Sequence, residues 1–147
     1  MWNRPRTTRP SPSAALVLVA CLALAACGPQ AGPAGGEKPA KVEKASGAET
    51  ATVKLTEQAA KRLDIKTAVV RDDQQRKTIP YAAVLYDAKG QAWTFTNPQS
   101  LTYVRQRISV ERIAGDTAVL TSGPAAGVNV VTIGAAELYG AELGVGK

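Results

Sequence analysis

The chain has 147 residues, of which 18 are basic and 12 are acidic, for a formal net charge of +6. It contains no histidine and only two cysteines, Cys21 and Cys27. The common nucleophile–base pairs of enzymes need a histidine or a free thiol, and zinc sites draw on the same side chains. The composition therefore argues against an enzyme and against a bound metal or other cofactor.

The N-terminal segment has the three parts of a bacterial export signal. Three arginines supply positive charge, and residues 14–24 form an apolar run shorter than the roughly 20 residues that span a bilayer. The run ends in LAAC, with its cysteine at Cys27, and this motif resembles the lipobox of bacterial lipoproteins. The resemblance implies that residues 1–27 comprise the signal peptide and the lipobox, with cleavage before Cys27 and lipidation of Cys27.

Such processing places the protein on the extracytoplasmic face of the cell membrane, anchored in lipid through Cys27. In a two-membrane envelope the outer membrane is an alternative, because Gly28 follows the cysteine where an aspartate commonly retains lipoproteins at the inner membrane. Either address excludes nucleic acid as a partner. The mature domain contains no cysteine pair, so we expect its stability to come from its core alone.

Residues 28–51 are rich in Gly, Pro, Ala, Lys and Glu, with Val42 as the one branched apolar residue. A segment of this composition buries too little surface to offset the entropy lost on ordering. The composition predicts a disordered tether that lets the following domain stand away from the membrane.

Residues 52–147 form one domain, which begins with a short strand at 52–55 and a helix capped by Thr56 and ending near Leu63. Period-two patterning then predicts further strands. They are expected at residues 65–70, 78–86, 91–96, 101–113, 117–120 and 129–133. A short helix at 135–139 follows. The pattern predicts a mainly β fold, a small roll or barrel of six or seven strands with one or two short helices.

Alternation along residues 101–113 places Tyr103, Arg105 and Arg107 on one face of a strand. If that face is exposed, the three side chains would meet an acidic partner surface or anionic lipid headgroups. Aromatic and arginine side chains contribute strongly to protein interfaces. The alternative is an ordinary solvated face of a half-buried sheet.

A series of short motifs runs through the domain in this order: Pro80, Ala83-Val84, the turn 87–90, Trp93 and Phe95, Arg105 to Arg107, Gly115-Asp116, the turn 123–127 and residues 130–134. Through these motifs, residues 53–70 and 79–144 resemble the two halves of the membrane-proximal domain of periplasmic adaptor proteins, the membrane-fusion subunits of resistance-nodulation-division efflux pumps. Full adaptors insert a lipoyl-like domain, an α-helical hairpin and a β-barrel between these halves. Here only residues 71–76 join them.

The resemblance implies a lipid-anchored accessory subunit of an efflux transporter, which acts by docking on a membrane permease and not by building a conduit. The alternative is a surface lipoprotein that uses the fold to bind a small ligand or an envelope polymer. An enclosed apolar pocket would favour ligand binding. A flat face that carries arginine and aromatic side chains would favour docking.

Overall fold

The computed structural model describes residues 38–73 and 76–145. The predicted signal peptide and Cys27 lie outside the described residues. In chain order the strands are β1 (Ala40–Glu43), β2 (Thr52–Leu55), β3 (Lys66–Val69), β4 (Arg71–Asp73), β5 (Arg76–Pro80), β6 (Leu85–Tyr86), β7 (Ala92–Gln99), β8 (Thr102–Arg107), β9 (Ser109–Ala114), β10 (Thr117–Ser122) and β11 (Asn129–Ile133). The helices are α1 (Glu57–Arg62) and α2 (Ala135–Glu142). The predicted mainly β fold class is confirmed.

The strands form two antiparallel sheets. The first has the order β1-β2-β8-β7-β11-β3, and β6 also pairs with β7. The second has the order β4-β5-β10-β9. The described strands are more numerous than the six or seven predicted, and they do not close into a barrel.

The chain passes from the first sheet to the second at two buried residues. Val70 lies between β3 and β4, and Ile108 lies between β8 and β9; they are 1% and 3% exposed. The single long strand predicted at 101–113 is therefore two strands in two different sheets. The strand predicted at 78–86 is also divided, because β5 ends at Pro80 and a 3-10 turn, Tyr81–Ala83, leads to β6.

The strand β1 lies inside the segment that was predicted to be a disordered tether. It pairs with β2 so that Val42 is opposite Val53, and Ala40 and Val42 pack against the core. The tether prediction is therefore wrong for residues 40–43. A short strand needs few apolar residues when a neighbouring strand supplies its hydrogen bonds, and composition averaged over the whole segment does not detect it.

Two apolar clusters make up the core. One lies between the first sheet and the two helices, and its buried residues include Val53, Phe95, Tyr103, Val131 and Leu138. The other fills the space between the sheets and includes Val70, Ile79, Ile108, Leu120 and Val130. Because β11 sends Val130 into one cluster and Val131 into the other, both of its faces are covered.

The alternating pattern predicts eight residues at the centre of the core: Trp93, Phe95, Leu85, Val84, Ile108, Val110, Val131 and Ile133. Four of them are buried, namely Trp93, Phe95, Ile108 and Val131. Val84, Leu85 and Val110 are partly buried. Ile133 is 44% exposed, because it follows a register shift at the end of β11, where it pairs with Lys66 of the edge strand.

Helix α1 begins and ends as its sequence predicts. The hydroxyl of Thr56 accepts a hydrogen bond from the backbone N–H of Ala59 at 3.2 Å. At the other end Asp64 has a positive φ of 49°, and the N–H of Ile65 bonds the carbonyl of Ala60. This is the Schellman arrangement, which satisfies the last carbonyls of a helix.

Helix α2 follows Gly134, whose φ of 87° favours glycine. A Cβ at this position would collide with the Cδ1 of Ile65. The glycine therefore lets the start of α2 lie close to Ile65, which is three residues beyond the end of α1.

Thr94 carries the one buried side-chain oxygen in the described residues that has no hydrogen-bond partner. We expect Thr94→Val to stabilise the fold by about 1–2 kcal/mol, because it removes an unsatisfied hydroxyl with little change in shape. Urea unfolding followed by circular dichroism would measure the change. Thr96→Val is the matched control and should destabilise, since the Thr96 hydroxyl donates to the carbonyl of Val104 at 3.0 Å. A less stable Thr94→Val protein would contradict the prediction.

Candidate functional site

The three side chains expected on an exposed docking face do not form one. Tyr103 is 4% exposed and packs in the core under the helices, and Arg105 is 9% exposed. Only Arg107 is exposed. The physical reason is that α2 covers the face of β8 on which Tyr103 and Arg105 lie. The predicted docking site at Tyr103 and Arg105 is therefore wrong.

Arg105 instead forms a buried ion pair with Glu142 of α2. Its Nε donates to Oε2 at 2.8 Å and its Nη2 donates to Oε1 at 3.2 Å. The backbone N–H of Ala51 donates to the same Oε1 at 3.1 Å. The two side chains are 9% and 5% exposed, so water contributes little to their solvation.

Aromatic rings complete the surroundings of this arginine. Its guanidinium carbon lies 4.2 Å from the ring centroid of Trp93 and 4.9 Å from that of Tyr139. Arg107 lies 5.5 Å from the Trp93 ring. Cation–π contacts of this kind gain strength where the cation is shielded from water. The cluster of Arg105, Glu142, Trp93 and Tyr139, which we call the Arg105 cluster, thus ties α2 to the sheet.

Trp93 also joins the Arg105 cluster to the turn at Asp87. The indole N–H donates to Oδ2 of Asp87 at 3.1 Å, and the N–H groups of Lys89 and Gln91 donate to Oδ1. Desolvation by itself raises the pKa of Asp87, but the hydrogen bonds from Gln91, Trp93 and Lys89 outweigh it, so this pKa lies below its usual range.

Two exposed arginines do share a transverse row, on the second sheet. Pairing across the four strands places Arg71, Thr78, Val119 and Arg112 in one transverse row, with an arginine on each edge strand. We call this set the arginine row. Both arginines are exposed, and neither forms an ion pair with a described carboxylate.

A β-bulge shapes one end of the arginine row. The register between β9 and β10 shifts after Val119, so that Glu111 is left without an opposing residue beside Arg112. Glu111 pairs with Arg76 of β5, on the far side of β10. A shallow cavity of about 320 Å³ lies here, and it is lined by Asp73, Arg76, Thr78, Glu111, Arg112 and Val119. Val119 is only 5% exposed although it lies among polar side chains.

A cavity of about 490 Å³ lies beside α1, and we call it the α1 groove. It is open to solvent, and it is lined by Glu57, Ala60, Lys61, Asp64, Ile65, Thr67, Asn97, Ser100, Leu101 and Tyr103. Burial raises the pKa of Tyr103, which therefore stays a neutral phenol at physiological pH.

The backbone of the α1 groove is strained at one residue. Among the described residues, the non-glycine residues with positive φ are Asp64 and Leu101, at 49° and 58°, and both line this groove. The helix end accounts for Asp64, since aspartate tolerates this conformation. Leucine does not tolerate this conformation, and holding Leu101 in it costs about 1–3 kcal/mol of folding free energy. Residues strained in this way are concentrated at functional sites.

Other kinds of site are not assembled in residues 38–73 and 76–145. No group of three or more Asp, Glu, Cys or His side chains there could hold a metal ion. No helix in this part of the chain is long and apolar enough to cross a membrane.

Comparison with known proteins adds no relative: no protein-family model, curated protein or solved structure matches this chain.

Sequence reasoning missed the Arg105 cluster because its acidic member lay beyond the predicted helix. The helix was expected to end at Tyr139, whereas α2 continues to Glu142. Tyr139 and Glu142 are three residues apart, so on a helix their side chains lie on the same face. A longer predicted helix would have indicated that both contact the same group.

We expect Arg105→Met to destabilise the fold by about 3–5 kcal/mol, because it leaves the carboxylate of Glu142 buried without its charged partner. The double variant Arg105→Met, Glu142→Leu should recover part of this loss. Urea unfolding followed by circular dichroism measures both. The control is Lys41→Met, which breaks the exposed pair with Glu43 and should have a much smaller effect. Equal effects of the two single variants would contradict the assignment.

The hydrogen bonds at Asp87 predict a pH dependence. Because its pKa is lower in the folded state, Asp87 contributes stability above its unfolded pKa, and this contribution is lost as the pH falls through the folded pKa. Trp93→Phe removes one donor and should raise the pKa of Asp87 towards its usual value, as measured by NMR titration of the carboxyl carbon. Tyr139→Phe keeps all three donors and should leave it unchanged. A pKa unaffected by Trp93→Phe would show that the indole does not stabilise this carboxylate.

Proposed function

We propose that the protein is a lipid-anchored accessory subunit of a resistance-nodulation-division efflux transporter, which docks on the extracytoplasmic face of the permease. It acts by protein–protein binding and not by catalysis. The proposal joins the lipobox that ends at Cys27 with the resemblance of residues 53–70 and 79–144 to the adaptor membrane-proximal domain.

The observation that carries the proposal is that these two segments fold together. The first segment supplies β2 and β3, and they pair with β8 and β11 of the second segment. The connection between them is the β4–β5 hairpin, in which Asp73 is opposite Arg76. We propose that this pairing corresponds to the way in which the two halves of an adaptor domain meet, and it supports the proposal in that sense only.

The structure also changes the surface on which docking is proposed. The arginine row replaces Tyr103 and Arg105, because its arginines are exposed and lie on a sheet face with both polar and apolar groups. Neighbouring strands are about 4.8 Å apart, so the two ends of the row are separated by roughly 14 Å. An acidic patch of the permease would satisfy Arg71 and Arg112 together, and such contacts weaken as salt rises.

The test is cross-linking in intact cells, followed by identification of the captured proteins. The wild-type chain should capture a permease of this class, and the variant Arg71→Glu, Arg112→Glu should lose that capture. Arg62→Glu, Lys89→Glu changes the same net charge outside the arginine row and should retain it. If all three proteins capture the permease, the proposed docking surface is contradicted. If none of them captures it, the proposed function is contradicted.

Two controls accompany this experiment. Circular dichroism of the purified variants checks that they keep the overall β content of the wild type. Cys27→Ser, which removes the proposed lipid attachment, should release the protein from membranes, because the acyl chains supply about 0.8 kcal/mol per buried methylene. Retention of the Cys27→Ser protein in the membrane fraction would contradict lipid anchoring.

A further inference from the structure

We infer that the α1 groove is a binding site for an uncharged glycan, a function distinct from docking on a permease. The groove lies on the first sheet beside α1, whereas the arginine row lies on the second sheet. Its volume of about 490 Å³ falls within the usual range of ligand sites in proteins.

The charges of the groove favour a ligand without net charge. Its lining carries the carboxylates of Glu57 and Asp64 and the ammonium group of Lys61. Lys66 lies beside the groove and pairs with Asp64 at 3.0 Å. Positive and negative groups are therefore balanced, so the groove offers no concentrated field of one sign to phosphate, to a polyanion or to a metal cation.

The remaining groups match the two kinds of surface that a sugar presents. Thr67 and Ser100 carry hydroxyl groups that both donate and accept hydrogen bonds, as sugar hydroxyls do. The amide nitrogen of Asn97 donates to the carbonyls of Gln99 and Thr102 at 2.6 and 2.9 Å, which leaves its side-chain oxygen as an acceptor held in place. Ile65 and Leu101 offer apolar surface to the C–H groups of the ring.

The strain at Leu101 supports a role for its side chain. A glycine would adopt the φ of 58° without strain, and the carbonyl of Leu101, which accepts from the N–H of Leu55 at 2.9 Å, would be preserved. Backbone geometry therefore does not account for a leucine at this position. The side chain of Leu101 lines the groove, where it can contact a ligand.

The form of the groove favours a polymer over a single sugar and a glycan over a peptide. It is open to solvent, so a chain can extend beyond it. An extended peptide usually binds by adding a strand to a sheet edge. Of the groove lining only Thr67 lies on an edge strand, and most of the rest comes from α1 and the β7–β8 turn.

The test is an NMR titration of the full chain in detergent with two uncharged tetramers, one of β-1,4-linked N-acetylglucosamine and one of β-1,4-linked glucose. At least one should shift the amide signals of residues 57–67 and 97–103. Leu101→Gly should weaken that binding at least tenfold without lowering the thermal midpoint. Leu143→Gly, which removes an exposed leucine outside the groove, should bind as the wild type does.

A second variant keeps the inference testable if Leu101→Gly unfolds. Thr67→Ala, Ser100→Ala changes two exposed side chains of the lining and should also weaken binding at least tenfold. Binding unaffected by the folded groove variants would overturn the inference. So would the absence of shifts with either tetramer at millimolar concentration, or groove shifts produced only by a hexaglutamate peptide.

Discussion

The ion pair between Arg105 and Glu142 is the constraint on which the arrangement of the first sheet depends. Two buried charges are tolerated only when each satisfies the other, so the position of α2 is set by the carboxylate that it must bring to β8. The same carboxylate accepts from the N–H of Ala51 and thereby fixes the start of β2. Through the Trp93 ring, the network reaches the Asp87 turn at the far end of the β6–β7 connection. One helix, three strands and one turn are thus positioned by a single connected set of polar contacts.

The division of the chain between two sheets determines which basic side chains are available to a partner. At Ile108 the chain leaves the face covered by the helices and continues in the second sheet, one face of which is covered by neither α1 nor α2. Arg105 lies before this point and is buried, whereas Arg112 lies after it and is exposed. Two arginines only seven residues apart therefore differ in environment: Arg105 is buried and holds the fold together, whereas Arg112 is exposed.

Local signals were predictable from the sequence, and long-range ones were not. The Thr56 cap, the extent of α1 and the turn at 87–90 depend on neighbouring residues, and the structure has them where they were expected. The mainly β class follows from period-two patterning in the same way.

The burial of Tyr103 and Arg105 depends on α2, which is more than thirty residues away in the chain. Alternation shows which residues share a face but not which face is covered, and for that reason the proposed docking site moved to the second sheet. The strained Leu101 and the α1 groove arise from a turn and a helix brought together by tertiary packing.

The position of β1 has a mechanical consequence. This strand is bonded on one side only, it is four residues long, and it is the part of the described domain nearest to the proposed lipid anchor. A pulling force transmitted from the membrane would act first on β1, while the Glu142 contact to Ala51 retains the start of β2. Peeling β1 away would release about 13 residues and lengthen the connection by up to roughly 45 Å, with both apolar clusters largely intact. The first strand can thus act as an extensible reserve, which would let the domain move further from the proposed anchor without unfolding.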